Sequence, residues 1–238
     1  MIERPIIEAQ SIVKAYGLLP VLRGLDLQVV RGQFVALLGP NGSGKSTFLR
    51  LLAGLSRAEA GSLFVGGWQL PQEASAVRAQ IGLVAHKPLL YENLTARENL
   101  AFFGRLYHLP TESLDSQIMQ SLKHVGLERR ADDLARTFSR GMQQRLSLAR
   151  ALLHDPHILL LDEPYTGLDQ AACAILDSLL KEAHAAGHTI VMTTHELDRA
   201  ASLADRIIIL SRGKINYDVP TADLSPTQLS ADYAAITG

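Results

Sequence analysis

The segment Gly39-Pro40-Asn41-Gly42-Ser43-Gly44-Lys45-Ser46-Thr47 limits the possible folds of this chain more than any other. An apolar run, Gln33–Leu38, precedes it and predicts a strand. After it, Phe48, Leu49, Leu51 and Leu52 predict a helix over Lys45–Ala53. Strand, glycine-rich turn and helix in this order suit a loop that wraps an anion. Glycines let the backbone approach closely, so that several N–H groups point at one phosphate. The following helix adds the positive end of its dipole. Lys45 supplies a cation for the β- and γ-phosphates, and the Ser46 hydroxyl is placed to ligate Mg²⁺. The loop predicts binding of a nucleoside triphosphate and nothing finer.

Around the loop, the first thirty residues read as β, with Ile6, Ile7, Ile12, Val13, Leu22, Leu25, Leu27, Val29 and Val30 punctuated by Gly24 and Gly32. Leu63–Val65 and Ile81–Val84 are short strand candidates, with Gly66-Gly67 as a turn between them. From about Thr95 to Asp155 the pattern is helical. Thr95 and Glu98 have capping-box spacing, and Leu100, Phe103, Leu106 and Tyr107 follow at helical intervals. After this come strand Ile158–Leu161, helix Asp169–Ala186, strand Thr189–Thr193, helix Glu196–Leu203 and strand Arg206–Leu210. Fully apolar strands alternating with helices imply a parallel sheet buried on both faces. The helical stretch is then an insertion into an α/β core, and the tail from Pro220 is expected to be peripheral.

Two carboxylates, Asp162 and Glu163, end the strand Ile158–Leu161, where ligands of parallel sheets sit. Asp162 is expected to hold Mg²⁺, and Glu163 to polarise the attacking water. The next strand ends in Thr193-Thr194-His195, which brings His195 towards the γ-phosphate. Tyr16, upstream of the loop, is a candidate to stack on adenine; an ordinary strand tyrosine is the equal alternative.

Composition removes other classes. The net charge is −1, so no strongly basic face for nucleic acid is expected. Cys173 is the single cysteine, which excludes an internal disulfide and a cysteine metal cage; it reads as a small buried helix residue. Glu3 and Arg4 interrupt the start, which does not read as a secretory signal. The apolar runs Ile158–Leu161 and Ile207–Leu210 fall far short of the about 18 residues of a membrane span. A cytoplasmic protein is expected, with any membrane role exercised through a partner.

Ser139-Arg140-Gly141-Met142-Gln143-Gln144-Arg145, followed by Leu146–Ala151, resembles the signature of the ABC transporter ATPases. With Gly39–Ser46 (Walker A), Asp162-Glu163, Gly167-Leu168-Asp169 and His195, the motifs occur in the family's order along nearly the whole chain. The resemblance implies a single ABC ATPase domain over residues 1–238. Its α/β fold would be a P-loop NTPase core with a mainly parallel sheet, an N-terminal antiparallel β subdomain and an inserted α-helical subdomain. Residues 1–94 and 156–219 would form the RecA-like core with its antiparallel part, 95–155 the helical subdomain and 220–238 the tail. It further implies ATP and Mg²⁺ as cofactors, and a head-to-tail homodimer or cassette heterodimer. Each ATP would lie between Gly39–Thr47 of one chain and Ser139, Arg140, Gly141, Met142 and Gln143 of the other. Asp169 would belong to the loop linking the two sites. Separate transmembrane permease subunits would hold the cassette at the inner face of the membrane.

Two positions depart from the family pattern. Arg140 stands where glycine is usual, and would either point outward or touch the partner or the nucleotide. His86 stands where glutamine is usual; imidazole is a poor Mg²⁺ ligand, so direct metal contact is not expected there, while a coupling role of its loop is retained. His86, the length and Phe138–Arg145 resemble the ATP-binding subunit of the haem exporter of cytochrome c maturation. Drug, antibiotic or lipid exporters share most of these residues. An ABC protein acting on DNA or the ribosome fits less well, because the stretch between Thr47 and Ser139 lacks sustained heptads and the chain carries one cassette. A binding module without hydrolysis has no support, since Lys45, Asp162, Glu163 and His195 are all present.

Overall fold

A computed structural model describes residues 5–238; Glu3 and Arg4, used above to judge the start of the chain, lie outside the described residues. The N-terminal apolar residues form β1 (Ile7–Tyr16) and β2 (Leu19–Val29), an antiparallel pair. β3 (Phe34–Leu38) leads through the glycine loop into α1 (Lys45–Leu52). Then come β4 (Ala60–Val65), β5 (Trp68–Leu70), α2 (Ala74–Ala79) and β6 (Ile81–Val84). Gly66-Gly67 turns β4 into β5, not into β6 as the spacing suggested. The correction has a physical cause. β5 is three residues long and buries only Leu70, too little for a periodicity to register.

Between β6 and β7 the chain is helical: α3 (Ala96–Leu106), α4 (Thr111–His124), two short 3₁₀ turns and α5 (Arg140–Leu152). The capping box forms as the sequence predicts. The Thr95 hydroxyl accepts from the Glu98 amide at 3.1 Å, and the Glu98 carboxylate accepts from the Thr95 amide at 2.8 Å. The remainder is β7 (Ile158–Asp162), α6 (Gln170–Ala185), β8 (Thr189–Thr193), α7 (Leu197–Leu203), β9 (Arg206–Ser211), β10 (Lys214–Pro220) and α8 (Pro226–Thr237).

The strands form two sheets, one ordered β2-β1-β4-β5 and antiparallel, the other ordered β10-β9-β3-β8-β7-β6. In the second, only β10 runs antiparallel to its neighbour. Its central strands read as unbroken apolar runs because both faces are covered. Alternate residues Phe34, Ala36, Leu38, Leu159, Leu161, Ile190, Met192, Ile207 and Ile209 join the core shared with α3 to α6. The intervening Val35, Leu37, Ile158, Leu160, Val191, Ile208 and Leu210 join the core shared with α1 and the antiparallel sheet. α1 is thus held between the sheets, with its N-terminus at the carboxyl ends of the parallel strands.

The segment expected to be a peripheral tail is tied to this body. Leu229 on α8 is buried in the core, and Asp232 accepts a hydrogen bond from the Tyr217 phenol at 2.8 Å. Its pattern did not show this, because Leu229 alone among the described side chains of α8 is fully buried, while Tyr233 and Ile236, one and two turns on, pack against the core only in part. Among the described residues no helix is long and apolar enough to cross a membrane.

Candidate active site

Strand order places the chemistry. β3, β8 and β7 are parallel neighbours, so the loop after β3, the Thr194-His195 end of β8 and the Asp162-Glu163 end of β7 open on the same edge. β6 lies beyond β7 and brings the loop containing His86 to that edge.

The phosphate loop uses its glycines for specific geometry. Gly39, Gly42 and Gly44 have φ of 149°, 80° and 111°, in the region that side chains avoid. A Cβ on Gly39 would run into the Leu210 carbonyl, and one on Gly44 would lie 2.8 Å from Leu22 Cδ2. Lys45 Nζ, on a residue 6% exposed, donates to the carbonyls of Gly39 at 2.7 Å and Pro40 at 3.3 Å and lies 3.6 Å from Glu163 Oε1. Ser43 Oγ is buried without a hydrogen-bond partner among the described residues. A buried hydroxyl in a cradle of backbone amides fits an anion that supplies the missing acceptor.

Ser46 Oγ donates to Asp162 Oδ1 at 2.9 Å, and Thr193 Oγ1 donates to the same oxygen at 2.8 Å. Glu163 has a φ of 51°, rare for a residue with a side chain and characteristic of functional sites. Its amide is held by the Thr193 carbonyl at 3.1 Å and the Thr193 hydroxyl at 3.0 Å. The Glu163 carboxylate then stands between Lys45 and His195, whose Nδ1–H donates to Oε2 at 2.8 Å. Thr193 therefore orders both carboxylates. Sequence reasoning gave it no role, although it is a hydroxyl at the carboxyl end of β8 and pairs in register with Asp162.

Gly39, Pro40, Asn41, His86, Glu163, Thr166, His195 and Tyr233 line one cleft of about 430 Å³. Tyr16 stands at the end of β1, half exposed, with Lys14 Nζ 5.2 Å from its ring centroid. A ring so exposed has a face free for another planar group.

The signature segment does not line this cleft. Ser139 caps α5, accepting from the Met142 amide at 3.3 Å, and Asp169 caps α6, accepting from the Ala172 amide at 2.8 Å. Gly141 is where these helices approach, since a Cβ there would lie 2.8 Å from that of Ala172. Arg140 is exposed at the start of α5. Nε donates to the Thr166 carbonyl and an Nη to the His86 carbonyl, each at 3.3 Å, so it bridges back within the chain.

The His86 loop is also held from within. Arg150, 5% exposed on α5, donates to the carbonyls of Leu83 and Leu89 and lies 5.0 Å from the Phe103 ring centroid. Burial lowers its pKa to about 10, so it remains charged at neutral pH. All these anchors act on backbone atoms of the loop, and none of these hydrogen bonds uses the His86 imidazole. His86→Gln is therefore expected to hydrolyse ATP within about threefold of the parent, the scale of a surface change. Phosphate release from the purified chain checks this; a collapse would give the imidazole a chemical role of its own.

The family model for "ABC transporter" matches residues 22–166. Over 233 residues the chain is 38% identical to Nod factor export ATP-binding protein I of Cupriavidus pinatubonensis, covering 98% of this chain and 72% of that protein. It is 35% identical to the linearmycin resistance ATP-binding protein LnrL of Bacillus subtilis, covering 88% of this chain and 68% of that one. Among solved structures, the dimeric post-hydrolysis state of the ATP-binding cassette MJ0796 bound to ADP and Pi is similar, with a TM-score of 0.83 and 29% identity over 90% of this chain and 98% of that one. The phosphate loop, the ordered carboxylates and these likenesses agree: the chain belongs to the ABC transporter family, as one of its ATP-binding, ATP-hydrolysing cassettes.

Proposed function

We propose that this cassette powers an ABC exporter whose membrane-spanning part is a separate permease. The observation that carries the reading is the division of the site: Lys45, Glu163 and His195 share one cleft region, while Ser139–Gln143 stand outside its lining. A second copy, or a second cassette, docked head to tail would supply Ser139, Arg140, Gly141, Met142 and Gln143 to that cleft. Free amides in the first turn of α5 would then meet the γ-phosphate, as helix N-termini meet anions elsewhere. The dimeric state of the similar MJ0796 cassette supports this assembly. Asp169, capping α6 beside Gly141, would lie in the loop between the two sites.

In this reading Gly39–Thr47 cradle the phosphates and Tyr16 stacks on adenine. The Ser46 hydroxyl and the Asp162 carboxylate are hard oxygen donors already 2.9 Å apart, a set that fits Mg²⁺, and they would hold it. Bound there, Mg²⁺ would neutralise charge on the phosphate oxygens. Glu163 accepts a proton from water as the water oxygen bonds to the γ-phosphorus and the bond to the β–γ bridging oxygen breaks, giving ADP and phosphate. His195 and Lys45 fix the two carboxylate oxygens during that step. ATP closes the dimer and hydrolysis releases it, moving the permease.

The permease would seat on an exposed apolar face of this chain. Leu55, Leu89, Tyr91, Phe102 and Leu106 are exposed, and Tyr91 and Phe102 meet edge to face at 4.8 Å. They adjoin a groove lined by Leu83, Leu89, Phe103, Tyr107 and Arg150, beside the His86 loop. Exposed apolar surface of this kind marks a contact with protein. Such a contact would hold the cassette at the cytoplasmic face of the membrane, with no part for nucleic acid.

For the cargo, the likeness to Nod factor export and linearmycin resistance ATP-binding proteins supports export, and we put the drug, antibiotic or lipid class first. Haem export for cytochrome c biogenesis rests on His86, the length and Phe138–Arg145, and takes second place. Tagged Glu163→Gln expressed in the source cell, loaded with ATP and extracted gently is expected to retain a permease. Ribosomes or DNA in its place would overturn the transport reading and leave the ATPase standing.

A further inference from the structure

The cleft beside the phosphate loop has one lining residue to which no role has been given. Tyr233 lines it together with Gly39, Pro40, Asn41, Glu163 and His195. It comes from α8, at the other end of the sequence from the phosphate loop.

Three attachments make its place there a property of the fold. Leu229 sits in the core at 1% exposure. Asp232, next to Tyr233, accepts from the Tyr217 phenol at 2.8 Å. The Ile236 carbonyl accepts from the Ser211 hydroxyl at 3.4 Å. Ser211 ends β9 and Tyr217 lies on β10, and β9 pairs with β3, the strand that delivers the phosphate loop. The helix is thereby indexed to the loop through one intervening strand. Within α8, the Thr237 hydroxyl binds the Tyr233 carbonyl at 2.8 Å, which engages the backbone and leaves the phenol out of that bond.

The phenol also feels the site. Burial raises its pKa, and the Glu163 carboxylate raises it further. It is therefore a neutral O–H donor at physiological pH, beside the cleft that Gly39, Pro40 and Asn41 of the phosphate loop also line. Phosphate oxygens are the acceptors such a donor meets when nucleotide fills the cleft.

We propose that Tyr233 is a further residue of the ATP site, whose hydroxyl donates a hydrogen bond to a γ-phosphate oxygen from the wall formed by α8. This rests on the ATPase reading above. ADP has no γ-phosphate, so the contact separates the two nucleotides. A residue that merely packs the C-terminal helix makes no such distinction.

The test uses the full chain. ATP and ADP affinities are measured by calorimetry in Glu163→Gln, where ATP persists, with and without Tyr233→Phe, which keeps the ring and removes the hydroxyl. The expected result is a loss of about tenfold in ATP affinity, the scale of one hydrogen bond to a charged group, with ADP affinity within about twofold and an unchanged melting midpoint. Unchanged ATP affinity overturns the proposal, and so does a parallel loss for both nucleotides, which is the signature of packing alone. Lys45→Ala in the same background separates the two readings. If it leaves ATP affinity intact, the phosphate site itself is misplaced and Tyr233 falls with it. If it abolishes ATP binding while Tyr233→Phe changes nothing, only the Tyr233 role is lost.

Discussion

Glu163→Gln is expected to bind ATP and hydrolyse it about 10²–10⁴-fold more slowly than the parent, the range for loss of a general base. The amide matches the carboxylate in size, so the backbone at φ 51° and the ties from Thr193 to the Glu163 amide stay in place. What disappears is the proton acceptor standing between Lys45 at 3.6 Å and His195 at 2.8 Å. Single-turnover phosphate release measures the chemical step directly. Turnover near that of the parent would remove Glu163 from the reaction and leave His195, its partner, as the group to examine.

Lys45→Ala acts earlier, on binding. The ammonium is buried at 6% exposure and is held by two loop carbonyls, at 2.7 Å and 3.3 Å, so it is pre-positioned over the phosphate cradle. Its removal deletes a charge-assisted hydrogen bond of about 1.5–3 kcal/mol, which corresponds to about 10–100-fold in ATP affinity. It also leaves the Glu163 carboxylate with the His195 Nδ1–H as its remaining side-chain partner. ATP affinity falls and hydrolysis falls with it, whereas Glu163→Gln separates the two. Unchanged ATP binding in a calorimeter would contradict the phosphate-loop assignment.

Legibility along this chain follows the range of the forces involved. The glycine loop, the capping box at Thr95 and the helix cap at Asp169 are made by residues a few positions apart, and a short-range pattern is visible in one dimension. The central strands were legible for a related reason. Burial on both faces forces every side chain to be apolar, and Ile158–Leu161 and Ile207–Leu210 show this directly. β5 and α2 escaped notice because each is short and buries a single side chain, Leu70 and Val77.

Residue types and their order along the chain determined that this protein binds a nucleoside triphosphate on an α/β scaffold and belongs with the ABC transporter ATPases. Strand order was settled only by the tertiary structure, and with it the meeting of Lys45, Glu163 and His195 at one edge. The bridges from Arg140 to the Thr166 and His86 carbonyls were settled in the same way, as was the clamp of Arg150 on both ends of the His86 loop and the arrival of Tyr233 at the phosphate cleft. Each joins residues far apart in the chain. Such contacts form only because burial of the two cores brings their elements together, and a side chain carries no local mark of a partner that packing alone selects.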